Sequence, residues 1–306
     1  MFTTATLSPS ALEGIILRLS LPDSPKVIRA SINKPNLYYG VCQLPPKGGE
    51  DAALRFTYNR VLDFIQHNSP PEGPRAQAIC FFLYKNQVDR FAEDYNESCA
   101  AYHAGLSLEA RALNLALFTS NSKPILAATS AIGAGFNFDN VGLIIYFQGC
   151  WSLTDFVQGC GRAARAPGAI GFIEVLTRAD GKLPSDRRSG DLSKDSQELT
   201  LFHEWVQEGI CRRRLLHTRF NPRASSINCS GEDRLCDLCL SRAQTLAKQA
   251  EKAKAILLQQ KKRLEALKIY ISQWYDGCCI GCLVDDMAED VLGEYIYISR
   301  FSEKEY

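Results

Sequence analysis

Ala78-Ile79-Cys80-Phe81-Phe82-Leu83 is a short, almost uninterrupted apolar run. A strand with one wet face alternates apolar and polar residues, so this run predicts a strand covered on both faces. Ile125-Leu126-Ala127-Ala128 and Leu143-Ile144-Ile145-Tyr146-Phe147 read the same way, and residues 170–176 return as another strand. Helical patterns separate them: residues 86–95, residues 107–118 and residues 152–160. Ser107 stands as a cap for the second, without a full capping box because Ala110 holds the third helical position, and Ser152 caps the third. Upstream, residues 51–68 place Leu54, Tyr58, Val61, Leu62 and Ile65 on one helical face, and residues 36–41 have strand character. Ser8-Pro9 opens a further helix over residues 11–19. Apolar strands alternating with amphipathic helices specify an α/β fold, a parallel sheet under helical cover.

The chain has 306 residues, with 35 Lys and Arg against 34 Asp and Glu, a formal net charge of +1. That balance excludes a basic-tail protein but not a local nucleic-acid surface, which needs no global excess. A hydrophobic fraction of 46% argues against a disordered chain. No run approaches the roughly 18 apolar residues of a membrane span, and Met1-Phe2-Thr3-Thr4-Ala5-Thr6 is not a charged signal start. The expectation is a soluble intracellular protein, nuclear or, in a prokaryote, cytoplasmic. Composition turns polar over residues 178–196, with Gly181, Pro184 and Gly190, which marks a boundary. A helical stretch, a cysteine cluster and a long helix over residues 241–274 follow.

Of the 12 cysteines, Cys42, Cys80, Cys99, Cys150 and Cys160 are scattered and read as small buried hydrophobes. The rest fall late in the chain, which suits metal ligation better than a disulfide scaffold. Cys236-Asp237-Leu238-Cys239 closes one side of a tetrahedral thiolate site, and Cys211 and Cys229 supply two more ligands for structural Zn2+. The bland alternative is a Cys-x-x-Cys turn with unrelated partners. Gly277-Cys278-Cys279-Ile280-Gly281-Cys282 has three thiols and no obvious fourth ligand before Tyr306; it reads as half of a second metal site and is left out of the assigned ligands.

Three strings sit where strands should end. Ala101-Tyr102-His103-Ala104-Gly105-Leu106 is one, and Ala128-Thr129-Ser130-Ala131-Ile132-Gly133-Ala134-Gly135-Phe136 is another. Ligands bind parallel sheets at the carboxyl ends of their strands. The third is Asp155-Phe156-Val157-Gln158-Gly159-Cys160-Gly161-Arg162-Ala163-Ala164-Arg165. Two arginines three apart on a helix share a face and can address one anion, and the guanidinium fork suits phosphate oxygens. Solvated surface arginines would look the same in isolation.

Together the strings resemble the second lobe of superfamily 2 helicases, specifically the RecQ-like family. Tyr102 to Leu106 matches its Tyr-His-Ala-Gly-Leu loop, residues 128–135 its motif V, and Gln158, Gly161, Arg162 and Arg165 its motif VI. Ser31-Ile32-Asn33-Lys34-Pro35-Asn36-Leu37-Tyr38-Tyr39 resembles the entry into that lobe, and Thr4-Ala5-Thr6 the last motif of the lobe before it. The likeness covers roughly residues 3–240, and Cys-Arg-Arg with the late Cys-Asp-x-Cys resembles the family's zinc-binding subdomain. It implies an ATP-dependent DNA helicase moving 3′ to 5′ on single-stranded or forked DNA, with ATP and Mg2+ as cofactor. It also implies that Arg162 and Arg165 face the nucleotide phosphates, Arg165 as the finger-like residue, with Gln158 coupling them to nucleotide state. Gly133 and Gly135 would line the same cleft, and Thr129 and His103 would stand on the nucleic-acid side. Independently of the resemblance, Arg212, Arg213, Arg214, Arg219 and Arg223 give the zinc module a local positive surface suited to phosphates, and arginines merely solvated on a small metal domain would look identical in sequence. Two positions depart from the pattern: Gly159 replaces an acidic residue, and Arg165-Ala166-Pro167-Gly168 replaces Arg-Asp-Gly.

The implied organisation is a remnant of the first lobe and connector in residues 1–30, a RecA-like lobe in 31–180 and a zinc subdomain in 195–240. A basic helix over 241–275 and a cysteine-containing tail over 276–306 complete it. The 306 residues contain neither a Gly-x-x-x-x-Gly-Lys-Ser/Thr phosphate loop nor an Asp-Glu-x-His or Asp-Glu-x-Asp box. The chain alone is therefore expected to be inactive, as the C-terminal part of a helicase that needs an upstream lobe on the same or a separate chain. The alternative is a zinc-containing remnant that binds nucleic acid or a partner. Lys248, Lys252, Lys254, Lys261, Lys262 and Lys268 leave the long helix open to three readings: a nucleic-acid track, a coiled-coil arm or a solvated face.

Overall fold

The computed structural model describes residues 9–21, 26–28, 32–130, 132, 136–178, 180–181, 195–221 and 228–274. Thr4-Ala5-Thr6, Gly133, Gly135 and the Cys278, Cys279, Cys282 cluster lie outside them. The chain divides into two units, residues 1–241 and 242–306.

The first unit is built on six parallel strands: β1 (Leu37–Gln43), β2 (Gln77–Phe81), β3 (Cys99–Tyr102), β4 (Ile125–Ala128), β5 (Val141–Phe147) and β6 (Gly171–Thr177). Their order across the sheet is β1-β6-β5-β2-β4-β3, a RecA-like arrangement. The apolar runs divide by period two. Ile79, Phe81, Leu126, Ala128, Ile144 and Tyr146 enter one core, whereas Ala78, Cys80, Phe82, Ile125, Ala127, Leu143 and Ile145 enter the other. That is why these strands carry no polar alternation.

Helices α2 (Gly49–Asn68) and α3 (Lys85–Asp94) cover the second core with Leu54, Val61, Ile65, Val88 and Phe91. The first core is closed by α4 (Leu108–Thr119), α5 (Leu153–Cys160), α6 (Asp195–Gln207) and α7 (Arg212–Phe220). Both serine caps form: Ser107 Oγ accepts from the Ala110 amide at 3.1 Å and Ser152 Oγ from the Asp155 amide at 2.9 Å. A first helix, α1 (Pro9–Arg18), precedes the sheet, and α8 (Asp237–Trp274) follows α7.

The cysteine-bearing helices share the sheet's core. Trp205 of α6 is fully buried, its ring 4.4 Å from that of Phe156 on α5 and edge-on to Tyr39 of β1. Among the scattered cysteines, Cys80, Cys99, Cys150 and Cys160 are buried and Cys42 is half-buried. Burial pushes the Cys99 and Cys150 thiols up to about 12, which leaves them protonated packing groups.

Candidate functional site

The chain leaves β2 through α3 towards β3, on one face, and leaves β5 through α5 towards β6, on the other. Two neighbouring strands whose connections depart in opposite directions open a crevice at their carboxyl ends, the usual ligand position of such sheets. Phe82 and Leu83 after β2, Gly149 and Trp151 after β5, Ser130 and Ile132 after β4, and Gln158 and Arg162 line that crevice.

Helix α5 stops at Cys160, and residues 161–165 turn away, with Ala164 in the left-handed region at φ 50°. The two arginines therefore do not share a helical face, as their spacing suggested. Arg162 is buried and its Nη2 donates to the Ile132 carbonyl at 2.8 Å. Arg165 is exposed; its Nη1 donates to the Phe136 carbonyl at 3.1 Å and Asn137 Oδ1 at 2.8 Å. The pair thus holds the loop after β4 at two points, Ile132 and residues 136–137. Burial, followed by the charge of Arg165, lowers the Arg162 pKa from its ordinary value.

Lys34 joins them. Its Nζ donates to the Gly161 carbonyl at 3.3 Å, and Arg165 Nε donates to the same oxygen at 2.9 Å. Burial and the nearby Arg165 charge depress the lysine pKa. Sequence reading placed Lys34 in the connector without a role; the only available signal was its neighbourhood, since 127 residues separate it from its partner.

Gly159 also has a local cause. A Cβ there would fall 2.0 Å from Tyr146 Oη, which is buried and donates to the Phe156 carbonyl at 3.0 Å. The tyrosine occupies the space an acidic side chain would need.

His103 and Thr129 come together at the ends of β3 and β4, where the Thr129 amide donates to the Tyr102 carbonyl at 3.2 Å. His103 is buried, though, and both its ring nitrogens are taken. Nδ1 accepts the Gly105 amide at 3.1 Å, so Nε2 carries the proton towards Asp89 Oδ1 at 2.7 Å. This pins the loop's shape and presents no ring nitrogen outward.

The metal ligands converge as expected. Cys211, Cys229, Cys236 and Cys239 bring their sulfurs within 4.8 Å of one another, with Cys211 to Cys229 at 3.5 Å and Cys211 to Cys236 at 4.0 Å. Four ligands about 2.3 Å from a tetrahedral ion stand about 3.8 Å apart, so these thiols form a four-cysteine zinc-binding cluster. Hydrogen bonds shared with the Cys229 and Cys236 thiols pull the Cys211 pKa down.

Arg212 and Arg213 point inward, which revises their expected place on a phosphate-facing surface. Arg212 donates to both carboxylate oxygens of Asp237 at 3.1 Å and to the carbonyls of Trp205 at 2.6 Å and Val206 at 2.9 Å. Arg213 donates to Asn33 Oδ1 and the Lys34 carbonyl, both at 2.7 Å, and to the carbonyls of Pro35, Leu37 and Arg234. Both are buried, so a phosphate would have to displace these bonds.

Residues 59–167 match the family described as helicase conserved C-terminal domain. The ATP-dependent DNA helicase RecQ of Pasteurella multocida is 26% identical over 249 residues, covering 78% of this chain and 36% of that protein. The ATP-dependent DNA helicase Q-like 5 of Arabidopsis thaliana is 30% identical over 166 residues, covering 53% of this chain and 17% of its own length. The chain is thus similar to RecQ-like helicases over its helicase C-terminal region. It spans little more than a third of the bacterial RecQ proteins it matches. Among solved structures, Mycobacterium smegmatis helicase Lhr bound to ssDNA and AMP-PNP aligns at 19% identity and a TM-score of 0.47, over 67% of this chain and 25% of that one. Among the described residues, no helix is long and apolar enough to cross a membrane.

Proposed function

We propose that this chain is the C-terminal helicase lobe and zinc segment of an ATP-dependent enzyme moving 3′ to 5′ on DNA. The observation that carries the reading is the cation group built around Arg162, which lines the crevice: Arg162 and Arg165 grip the loop after β4, and Lys34 shares a carbonyl with Arg165. In this reading Arg165 leaves its neutral partners to meet charge developing on a transferring phosphoryl group, and Arg162 stays behind to fix the loop. Gln158, exposed on the last turn of α5, relays nucleotide state to them. Gly133 and Gly135 flank the cleft, Thr129 lies beside the nucleic-acid backbone, and His103 positions its loop. Bound ATP and Mg2+ would supply the phosphoryl group and its charge neutralisation. These residues offer cations to phosphate oxygens, and the phosphate loop and acidic box absent from the 306 residues must come from another lobe.

That absence also favours a second reading, a zinc-containing module that binds nucleic acid or a partner without hydrolysis. The test is ATPase activity of the zinc-loaded 306-residue chain, with and without single-stranded DNA, beside Arg165→Ala. No turnover above background is expected in any sample. DNA-stimulated turnover that disappears in Arg165→Ala would overturn the claim that the chain depends on a second lobe.

A further inference from the structure

The second unit carries the rest of α8, and its sequence has a seven-residue repeat. Assigning Ala250 to position a puts Ala243, Ala250, Leu257 and Leu264 at a, and Leu246, Ala253, Gln260 and Leu267 at d. In sequence, Ile271 and Trp274 continue the same two positions. One polar residue in a seam of this length is the pattern of a coiled coil, with Gln260 fixing register. In a helix this long, an apolar seam left largely open to water among the described residues is otherwise unexpected. Yet Leu246 is 45% exposed, Leu264 38% and Leu267 56%.

The flanking positions identify the occupant. Position e holds Ala247 and then Lys254, Lys261 and Lys268 in three successive repeats, and position g holds Arg242, Gln249, Ile256 and Arg263, so every charge at these positions is positive. A second copy of α8 is a poor match. Parallel pairing sets Arg263 against the other copy's Lys268 and gives Lys254 and Lys261 only Gln249 and Ile256 to face, with no acidic partner, and antiparallel pairing sets e-position lysines against e-position lysines. A polynucleotide would use the lysines but leave the leucine seam in water. We propose that α8 is one strand of a heteromeric two-stranded coiled coil, whose other strand is an amphipathic helix of another protein with acidic residues at its own e and g positions. The proposal stands independently of the helicase reading, since it uses no residue of the crevice.

The test uses the full zinc-loaded chain and a synthetic helix of about 30 residues. The probe has isoleucine at a, leucine at d, one glutamine to face Gln260 and glutamate at every e and g; a control peptide carries lysine there instead. Fluorescence anisotropy should show the glutamate peptide binding at least about tenfold more tightly than the control at about 0.15 M salt, with the gap narrowing at about 0.5 M. Leu257→Lys with Leu264→Lys should abolish binding, while Lys248→Gln with Lys262→Gln, both away from the seam, should not change it. These positions are at the helix surface, and circular dichroism checks that helix content is kept. A chain that self-associates without peptide, and stops doing so in Leu264→Lys, would overturn the proposal in favour of a second copy. Equal affinity for both peptides would overturn it as well. So would failure of both peptides while charge reversal at Lys254, Lys261 and Lys268 removes binding to single-stranded DNA.

Discussion

Gly159→Ala should destabilise the lobe even though it improves intrinsic helix propensity. The added Cβ would meet Tyr146 Oη at 2.0 Å, and side chains do not approach closer than about 3.0 Å, so the hydroxyl must retreat by about 1 Å. It has nowhere easy to go. The Tyr146 ring is buried, stacked on Phe81 at 5.0 Å and packed against Phe156 at 4.9 Å, and its hydroxyl is bonded to the Phe156 carbonyl. Overpacking of this kind costs about 1–3 kcal/mol, and loss of the hydrogen bond adds about 1 kcal/mol. Exchanging glycine for alanine in a helix returns up to about 1 kcal/mol. The net expectation is a loss of about 2 kcal/mol. Tyr146→Phe removes the clashing oxygen at a cost of about 1 kcal/mol. In the double variant the nearest atoms would be the ring Cζ and Phe81 Cε2, both at 3.2 Å, a gap that small shifts relieve. Urea unfolding followed by tryptophan fluorescence should therefore give a double variant no less stable than Gly159→Ala, with a coupling energy of about 1–2 kcal/mol. Gly159→Glu, which would restore the acidic residue of the helicase pattern, should behave like the alanine variant or worse. A stable Gly159→Ala variant, or additive costs in the double, would refute the argument that Tyr146 dictates the glycine.

Elemental analysis should find one zinc per chain, falling to near zero in Cys236→Ser, whose sulfur lies in the closed side of the cluster, and unchanged in Cys42→Ser. The ligands bind as thiolates, so zinc should be released as pH falls, and tryptophan emission should shift to the red with it as Trp205 loses its cover. Arg213→Lys should cost about 2–4 kcal/mol in stability because an ammonium cannot serve the carbonyls of residues 34, 35, 37 and 234 that one guanidinium reaches. The salt dependence of DNA binding should be the same in this variant as in the parent chain; a reduced slope would return Arg213 to the phosphate-facing surface.

The central strands were legible because burial on both faces leaves a direct mark, an apolar run without alternation. The edge strand β3 was not: Cys99-Ala100-Ala101-Tyr102 is short, and its two alanines carry little apolar signal. Helix α7 was missed for the opposite reason. Arg212, Arg213 and Arg214 look like surface, and only the folded chain reveals carbonyls converging on two of them. The four zinc ligands were legible because thiolate geometry constrains their spacing. Lys34 was not, since contact with Gly161 depends on where β1 lies beside β6 in the sheet. The face-sharing argument for Arg162 and Arg165 failed at one residue, where Gly161 ends α5 and turns the backbone.

Arg213 links two sites that the sequence keeps apart. Its guanidinium holds the carbonyls of residues 34, 35 and 37, and it follows the zinc ligand Cys211 by two residues. The connector residue whose ammonium meets Gly161 is thus anchored through its own carbonyl to the first turn of α7. Lys34 and Arg165 approach one neutral carbonyl together, and two cations so placed repel each other more strongly in a partly desolvated setting than in water. Such crowding persists when neighbouring structure fixes it, and an anion arriving there would relieve it. Because the cluster ligand Cys211 stands at the start of α7 and Arg213 of that helix binds the Lys34 carbonyl, losing a metal from the cysteines should loosen the cation group as well.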